Sequence, residues 1–253
     1  MRSIDLNSDL GEGAGHDAEI MPFITSANIA CGGHAGDEAT MRATVELALR
    51  RGVAIGAHPG YPDRANFGRI PVPMEPLALI EEVAGQVRSL AEIVKSAGGT
   101  LRHVKAHGAM YNQAERDVAI ARSIATGIFD DARGEGLLVF APPASAMLDA
   151  ATAMELRVAR EGFIDRAYEP DGTLRPRKLP GSLHTDPLVA VAQALSFVRE
   201  GGVRASDGSF LALEVDTLCL HGDTPGAPAI AEAVRAAFAR ESIQVRPAFR
   251  QWL

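Results

Sequence analysis

Lysine is nearly absent from this chain, with only Lys95, Lys105 and Lys178 among 253 residues. Cysteine is scarcer still, at two, Cys31 and Cys219. Two cysteines make no disulfide framework, and the usage fits a reducing cytosol. No apolar run approaches the ~18 residues of a membrane span. The opening MRSIDLNSDLGEG lacks the continuous apolar core of a signal peptide. A soluble cytoplasmic protein is therefore expected. Positive charge is in deficit, with a net charge of −7. That balance argues against a nucleic-acid groove or an anionic membrane surface as main partner. It leaves room for a local basic pocket that takes a small anion. Familiar templates are missing too. There is no G-x-x-x-x-G-K-[ST] phosphate loop, GEGAG lacks the G-x-G-x-x-G spacing, and no G-x-S-x-G elbow occurs.

What is present reads as an ordinary globular α/β chain. Apolar residues make up 47% and charged residues 23%, enough apolar material for a sizeable core. Met41, Val45, Ala48 and Leu49 form one helical stripe, with Asp37 placed to cap it and Gly52 to stop it. Ile80, Val83, Val87, Leu90 and Val94 keep helical spacing within 76–97. Asp186 and Pro187 open another helix, Ile230, Val234 and Phe238 mark a late one, and a weaker one covers about 114–129. Strand-like runs lie at 3–7, 27–30, 53–57, 101–106, 137–141, 158–163 and 211–221, with RASDGSF as a turn before the last. Strands alternating with helices imply βαβ units and a parallel sheet. Seven such strands in one unbroken alternation favour a barrel, as a single domain over 1–253. Glycine and proline cluster just after the strands, where βα barrels and open α/β sheets carry their function.

Several strands are too polar for a buried sheet. Along VKAHGAMYN, His103, Lys105 and His107 share a face, because strand side chains alternate with period two. Asp5, Asn7 and Asp9 share a face of the first strand, opposite Ile4, Leu6 and Leu10. Glu161 sits on the sixth strand, and Thr217, Cys219 and His221 on the last. Buried unpaired, each such group costs several kcal/mol. The polar faces therefore converge inside the barrel, with Lys105 and His107 towards its mouth and Asp5 and His103 deepest, as a structural pair. His34, His58, His107 and Asp9 could hold a divalent ion as an N/O site. Cys31-x-x-His34 and Cys219-x-His221 lack the second half of a structural zinc motif. Arg166, Arg175, Arg177 and Lys178 make the 165–182 loop basic, suited to a phosphate or carboxylate. For Arg175 a solvated loop position serves equally. His16 and His184 read as solvated.

DLNSDLGEG, SANIACGGHAGD, GAHPGYPD with NFGR, KAHGAMYN, DRAYEPDGTLRPR and CLHGDTPGA occur in this order. Together they resemble the LamB/YcsF family from residue 3 to about 227. The chain departs from the family at Ala106, where Lys-Pro-His-Gly is usual, and after Arg177. The resemblance implies a seven-stranded parallel β/α barrel of the glycoside hydrolase/deacetylase type. It also implies ATP-dependent opening of 5-oxo-L-proline to L-glutamate, with subunits B and C of a 5-oxoprolinase as partners. ATP would then be a co-substrate handled mainly by those partners, since this chain has no familiar nucleotide motif. On this reading Asp9 is the general base, and Lys105 and His107 stabilise oxyanion or phosphate charge. Glu12, His34 and His58 orient water or hold a metal, His221 and Asp223 close the rim, and Asn7, Asn28, Glu161 and Arg166 complete the substrate site. Two other readings stay open: a carrier that presents substrate to its partners, and a stand-alone metal-dependent deacetylase or lactamase.

Overall fold

In a computed structural model, which describes residues 2–131 and 136–249, seven parallel strands close on themselves. They are β1 (Ser3–Leu10), β2 (Ser26–Ala30), β3 (Ala54–His58), β4 (Leu101–Lys105), β5 (Leu138–Ala141), β6 (Arg157–Phe163) and β9 (Thr217–His221). β1 pairs with both β2 and β9, which completes the barrel. The register sets Asp9 level with Asn28 on one side and with His221 on the other. Asn28 is level with Gly56, and Gly56 with His103. This is why polar residues spaced by two along the sequence become rings around the barrel interior. The alternate positions Ile4, Leu6 and Leu10 are buried in the apolar layer, as period-two alternation requires.

That layer is supplied by the helices. α2 (Glu38–Arg51) starts where the Asp37 carboxylate accepts from the Thr40 N–H, and it ends at Gly52 in the left-handed conformation. α3 (Pro76–Ser96) buries Val83, Val87, Leu90 and Val94. α7 (Pro187–Glu200) has the expected Asp186 cap, and α8 (Ala227–Arg240) buries Ile230, Val234 and Phe238. No described helix is long and apolar enough to cross a membrane.

Three stretches differ from expectation. The run 211–221 is two strands. β8 (Phe210–Ala212) pairs antiparallel with β7 (Gly202–Arg204) outside the barrel, and RASDGSF turns between them. Only Thr217–His221 enters the barrel. The weak helix at 114–129 resolves into α4 (Gly108–Ala114) and α5 (Val118–Asp131). α6 (Ala146–Ala153), capped by the Ser145 hydroxyl, has no counterpart among the expected helices. Its alanine-rich segment carries little periodic contrast for a pattern to detect. The short β10 (Gln244–Val245) adds to the start of β1, and α1 (Asp17–Ile20) follows the first loop.

Candidate functional site

The barrel interior is a stack of polar layers. At the bottom, Asp5 accepts from the hydroxyls of Thr25 at 2.6 Å, Ser26 at 2.8 Å and Thr217 at 2.6 Å. Asp5 and His103 do not pair with each other. His103 Nε2 lies 2.8 Å from Asn28 Oδ1, and its ring stacks on Phe140 with centroids 4.3 Å apart. Burial pushes the His103 imidazole down to about 3, so it is neutral. A Cβ at Gly56 would lie 2.1 Å from the His103 ring, so the level partner of His103 has to be glycine.

Above this layer, Asn7 Nδ2 donates to Glu161 Oε1 at 3.0 Å and to Thr217 Oγ1 at 2.7 Å. Asn28 Nδ2 donates to Asn7 Oδ1 and to Asp9 Oδ1, at 2.7 and 2.8 Å. Lys105 Nζ lies 2.9 Å from Asp9 Oδ1, 3.1 Å from Glu161 Oε1 and 2.9 Å from Cys219 Sγ. Burial opposes the Lys105 charge, but Asp9 and Glu161 outweigh it and hold its pKa well above the ordinary value. Burial likewise opposes the Asp9 charge, yet His58 and Lys105 keep that carboxylate well below its usual range. The Cys219 thiol is pushed far up by burial and remains protonated.

At the C-terminal strand ends stands a histidine cluster around Glu12. Glu12 Oε1 is 3.0 Å from His34 Nε2, 3.2 Å from His107 Nδ1 and 3.6 Å from His58 Nε2. His107 Nδ1 and His58 Nε2 are 3.0 Å apart. Asp9 Oδ2 faces His58 Nε2 at 3.4 Å. The far nitrogens contact carbonyls, His58 Nδ1 that of Lys105 at 2.8 Å and His107 Nε2 that of Phe67 at 2.9 Å. His34 and His107 stack face to face, with centroids 3.6 Å apart. Burial lowers His34 to about 4 and lowers His107 as well. Gly68 and Gly108, from NFGR and KAHG, allow this packing. Both have positive φ, and a Cβ on Gly108 would come within 2.6 Å of the Gly68 carbonyl oxygen.

A cavity of about 800 Å³ opens onto this cluster and is lined by Asp9, Glu12, His58, Lys105, His107 and His221, among others. Asn7, Asn28, His34 and Glu161 stand behind its wall. His221 Nδ1 contacts the buried Asp165 carboxylate at 3.0 Å. At the rim, Asp223 accepts from Arg69 at 2.5 Å and lies 3.8 Å from Arg177. Arg166, 6% exposed, donates to the Arg175 and Ser182 carbonyls. Arg175 is held by Glu169 at 2.8 Å, and the half-buried His184 contacts Gln193, so neither is freely solvated.

Sequence reasoning missed three lining or supporting residues. Asp165 follows the apolar end of β6 as Asp9 ends β1, a signal that was there to read. Arg69 closes the NFGR motif. Tyr111, in KAHGAMYN, brings its buried hydroxyl up to the Glu161 carboxylate, although neither it nor Glu161 Oε2 makes a well-aligned hydrogen bond among the described residues. Both border a side cavity of about 20 Å³ that adjoins the main one, room for about one water. A separate cavity of about 590 Å³ beside α7 is lined by none of the cluster.

The sequence profile of the LamB/YcsF family matches residues 4–252. The chain is 47% identical over 251 residues to the A subunit of 5-oxoprolinase from Bordetella pertussis, covering 97% of this chain and 99% of that protein. It is 45% identical over 250 residues to the corresponding protein from Pyrococcus furiosus, covering 96% and 97%. Among solved structures it resembles a lactam utilization protein from Thermus thermophilus, with a TM-score of 0.89 and 43% identity over 96% of this chain and 99% of that one. With a profile spanning almost every residue and relatives this similar from end to end, the chain belongs to the LamB/YcsF family.

Proposed function

We propose that this chain is the ring-opening component of an ATP-dependent 5-oxoprolinase, converting 5-oxo-L-proline to L-glutamate with partner subunits B and C. The observation that carries the reading is the convergence of Lys105, Asp9 and His107 at the base of one cavity. The names of the similar proteins supply the substrate class. A lactam is a poor electrophile, and its hydrolysis needs three things: an activated water, a site for the oxyanion, and a proton for the leaving nitrogen. Asp9, held ionised, accepts the proton of the attacking water through Oδ2, the oxygen that Lys105 and Asn28 leave open. Lys105 stabilises the charge that develops on the former carbonyl oxygen. The C–N bond then breaks as the proton held by Asp9 passes to the nitrogen, which leaves as the amine of glutamate. Phosphorylation of the amide oxygen by the partner subunits, at the expense of ATP, would activate the ring carbon towards water; C–N cleavage of the adduct then gives an acyl phosphate, whose hydrolysis releases phosphate and glutamate.

Asn7, Asn28 and Glu161 act by positioning Asp9 and Lys105. Arg166, with Arg69, Arg177, His221 and Asp223 around the mouth, binds the anionic end of the substrate. Glu12, His34, His58 and His107 have the donor types and spacing of a cation site, and a divalent ion there would supply Lewis acidity. The test is glutamate release from 5-oxo-L-proline by the chain alone and with subunits B and C, with and without ATP. Release only with partners and ATP is expected. Strong ATP-dependent release by the single chain would overturn the division of labour. ATP-independent hydrolysis would make the chain a stand-alone amidohydrolase, and binding without turnover of a chemically activated lactam would make it a carrier.

A further inference from the structure

We infer that Glu12, His34, His58 and His107 form a binding site for one zinc-type divalent cation, with Asp9 beside the ion rather than on it. The inference stands independently of the lactam reading.

The hydrogen bonds decide which nitrogens are free. A carbonyl oxygen only accepts, so His58 carries its proton on Nδ1, towards Lys105 O, and His107 carries its proton on Nε2, towards Phe67 O. With both rings neutral, the remaining nitrogens, His58 Nε2 and His107 Nδ1, are lone pairs, and they face each other at 3.0 Å. Two acceptors that close, with the carboxylate oxygen of Glu12 at 3.6 and 3.2 Å, repel unless something positive lies between them. Among the described residues no lysine or arginine pairs with Glu12; its ion-pair partners are the three imidazoles. Lys105 is committed to Asp9, Glu161 and Cys219. Either a second proton on His58, whose Nε2 faces Asp9 Oδ2 at 3.4 Å, or a cation taken up from solution would settle the cluster.

The spacing matches an ion. Donors each ~2.0–2.1 Å from a tetrahedral zinc stand about 3.3–3.4 Å from one another. Glu12 Oε1 stands 3.0–3.6 Å from the three imidazoles, His58 Nε2 and His107 Nδ1 are 3.0 Å apart, and all four ligand atoms lie within 4.8 Å of one another. The carbonyls behind His58 and His107 are the outer partners that fix the tautomer of metal-binding imidazoles. Three imidazoles and a carboxylate suit zinc, or cobalt and nickel as substitutes, better than magnesium or calcium. Asp9 offers the site only Oδ2, since Oδ1 is taken by Lys105 and Asn28; Oδ2 faces His58 Nε2 at 3.4 Å and is placed to accept from a water beside the ion.

The rival account is a proton shared between His58 and His107. Chelator-treated full-length chain, shown to be folded by circular dichroism, would be titrated with Co²⁺ and Zn²⁺. Expected are the visible absorption of low-symmetry Co²⁺ at one ion per chain, its displacement by Zn²⁺, and a higher melting temperature with either ion. His58→Ala and Glu12→Gln should weaken Co²⁺ binding at least ~10–100-fold, whereas Asp9→Asn should retain it. No uptake by the folded wild-type chain at tens of micromolar metal would overturn the site and leave the shared proton. Uptake with an unchanged spectrum in both ligand variants would place the ion elsewhere and overturn it equally. The wild-type titration reads out even if a variant fails to fold.

Discussion

Lys105 Nζ stands 2.9 Å from Asp9 Oδ1, a bond across the barrel that joins β4 to β1 with both side chains out of solvent. Glu161 stands 3.1 Å from the same ammonium. Lys105→Met would keep the side-chain length and leave two buried carboxylates with no cation between them. Breaking such a pair costs ~3–5 kcal/mol, and at roughly 2–4 °C per kcal/mol for a chain of this size the melting temperature should fall visibly. On the proposed ring-opening role, the fraction that folds should also lose ~10²–10³ in turnover when assayed with subunits B and C. The double variant Asp9→Asn/Lys105→Met should recover part of the stability and none of the rate. Near-normal turnover from well-folded Lys105→Met protein would remove Lys105 from the chemistry.

Asp5 gives the barrel a pH dependence. Burial raises its carboxyl from 3.8 to about 6, against the pull of three hydroxyl donors. Between those values the folded chain holds a proton that the unfolded chain has released. Its favourable contribution is thus complete below pH 3.8 and is lost as pH rises through about 6. Above that, ionised Asp5 costs about 3 kcal/mol relative to an exposed carboxylate. Asp5→Asn should flatten the fall in stability between about pH 4 and pH 6, measured by urea denaturation. An identical slope in the variant would show that Asp5 does not titrate in this range.

Two buried tyrosines beside Glu161 should respond oppositely to loss of their hydroxyls. Tyr168 Oη accepts from the Phe163 N–H at 2.8 Å, and Tyr168→Phe would leave that amide unpaired, at a cost of ~1–3 kcal/mol. Tyr111 Oη faces the Glu161 carboxylate without a well-aligned hydrogen bond among the described residues, so Tyr111→Phe should change stability by no more than ~1 kcal/mol. Denaturant midpoints compare the two. Equal losses would mean that the Tyr111 hydroxyl is satisfied after all, by Glu161 or by a tightly held water in the small cavity.

The parts of this site that could be read in advance follow from period two. Asp5, Asn7 and Asp9, or His103, Lys105 and His107, betray a polar interior because a one-residue step would put them against the helices. Pairing across the barrel was not legible, because it depends on register. Asp5 lies level with Thr217, and His103 with Gly56, so the expected Asp5–His103 pair never forms. Nor was the split of 211–221 legible, because Leu211 and Leu213 continue the apolar pattern while the chain leaves one sheet for another. In the sequence Glu12 is a loop carboxylate near the mouth. Its place at the centre of three imidazoles depends on how the first three loops fold over the barrel.

The mouth should select for negative charge on the substrate. Arg166 is buried and forms no ion pair among the described residues; its fixed partners are two carbonyls. Burial first, then the neighbouring Arg177, push its guanidinium down to about 10, so it remains charged at neutral pH. Arg69 and Arg177 share the single Asp223 carboxylate, whose Oδ1 has no partner. Cation therefore exceeds anion at the rim, an arrangement suited to forked donation to a carboxylate or phosphate. Arg177→Gln is the variant of choice, because Arg166 also ties down its own loop. Calorimetric titration should show wild-type protein binding 5-oxo-L-proline more tightly than pyrrolidin-2-one, the same ring without its carboxylate. A charge-assisted hydrogen bond is worth ~1.5–3 kcal/mol, so Arg177→Gln should weaken the acid by ~10–100-fold and leave the neutral lactam unchanged. Competition by inorganic phosphate against 5-oxo-L-proline would show that one subsite serves both groups, and its absence would separate them. Equal affinity of the wild-type protein for the two lactams would end the assignment of this rim to substrate charge.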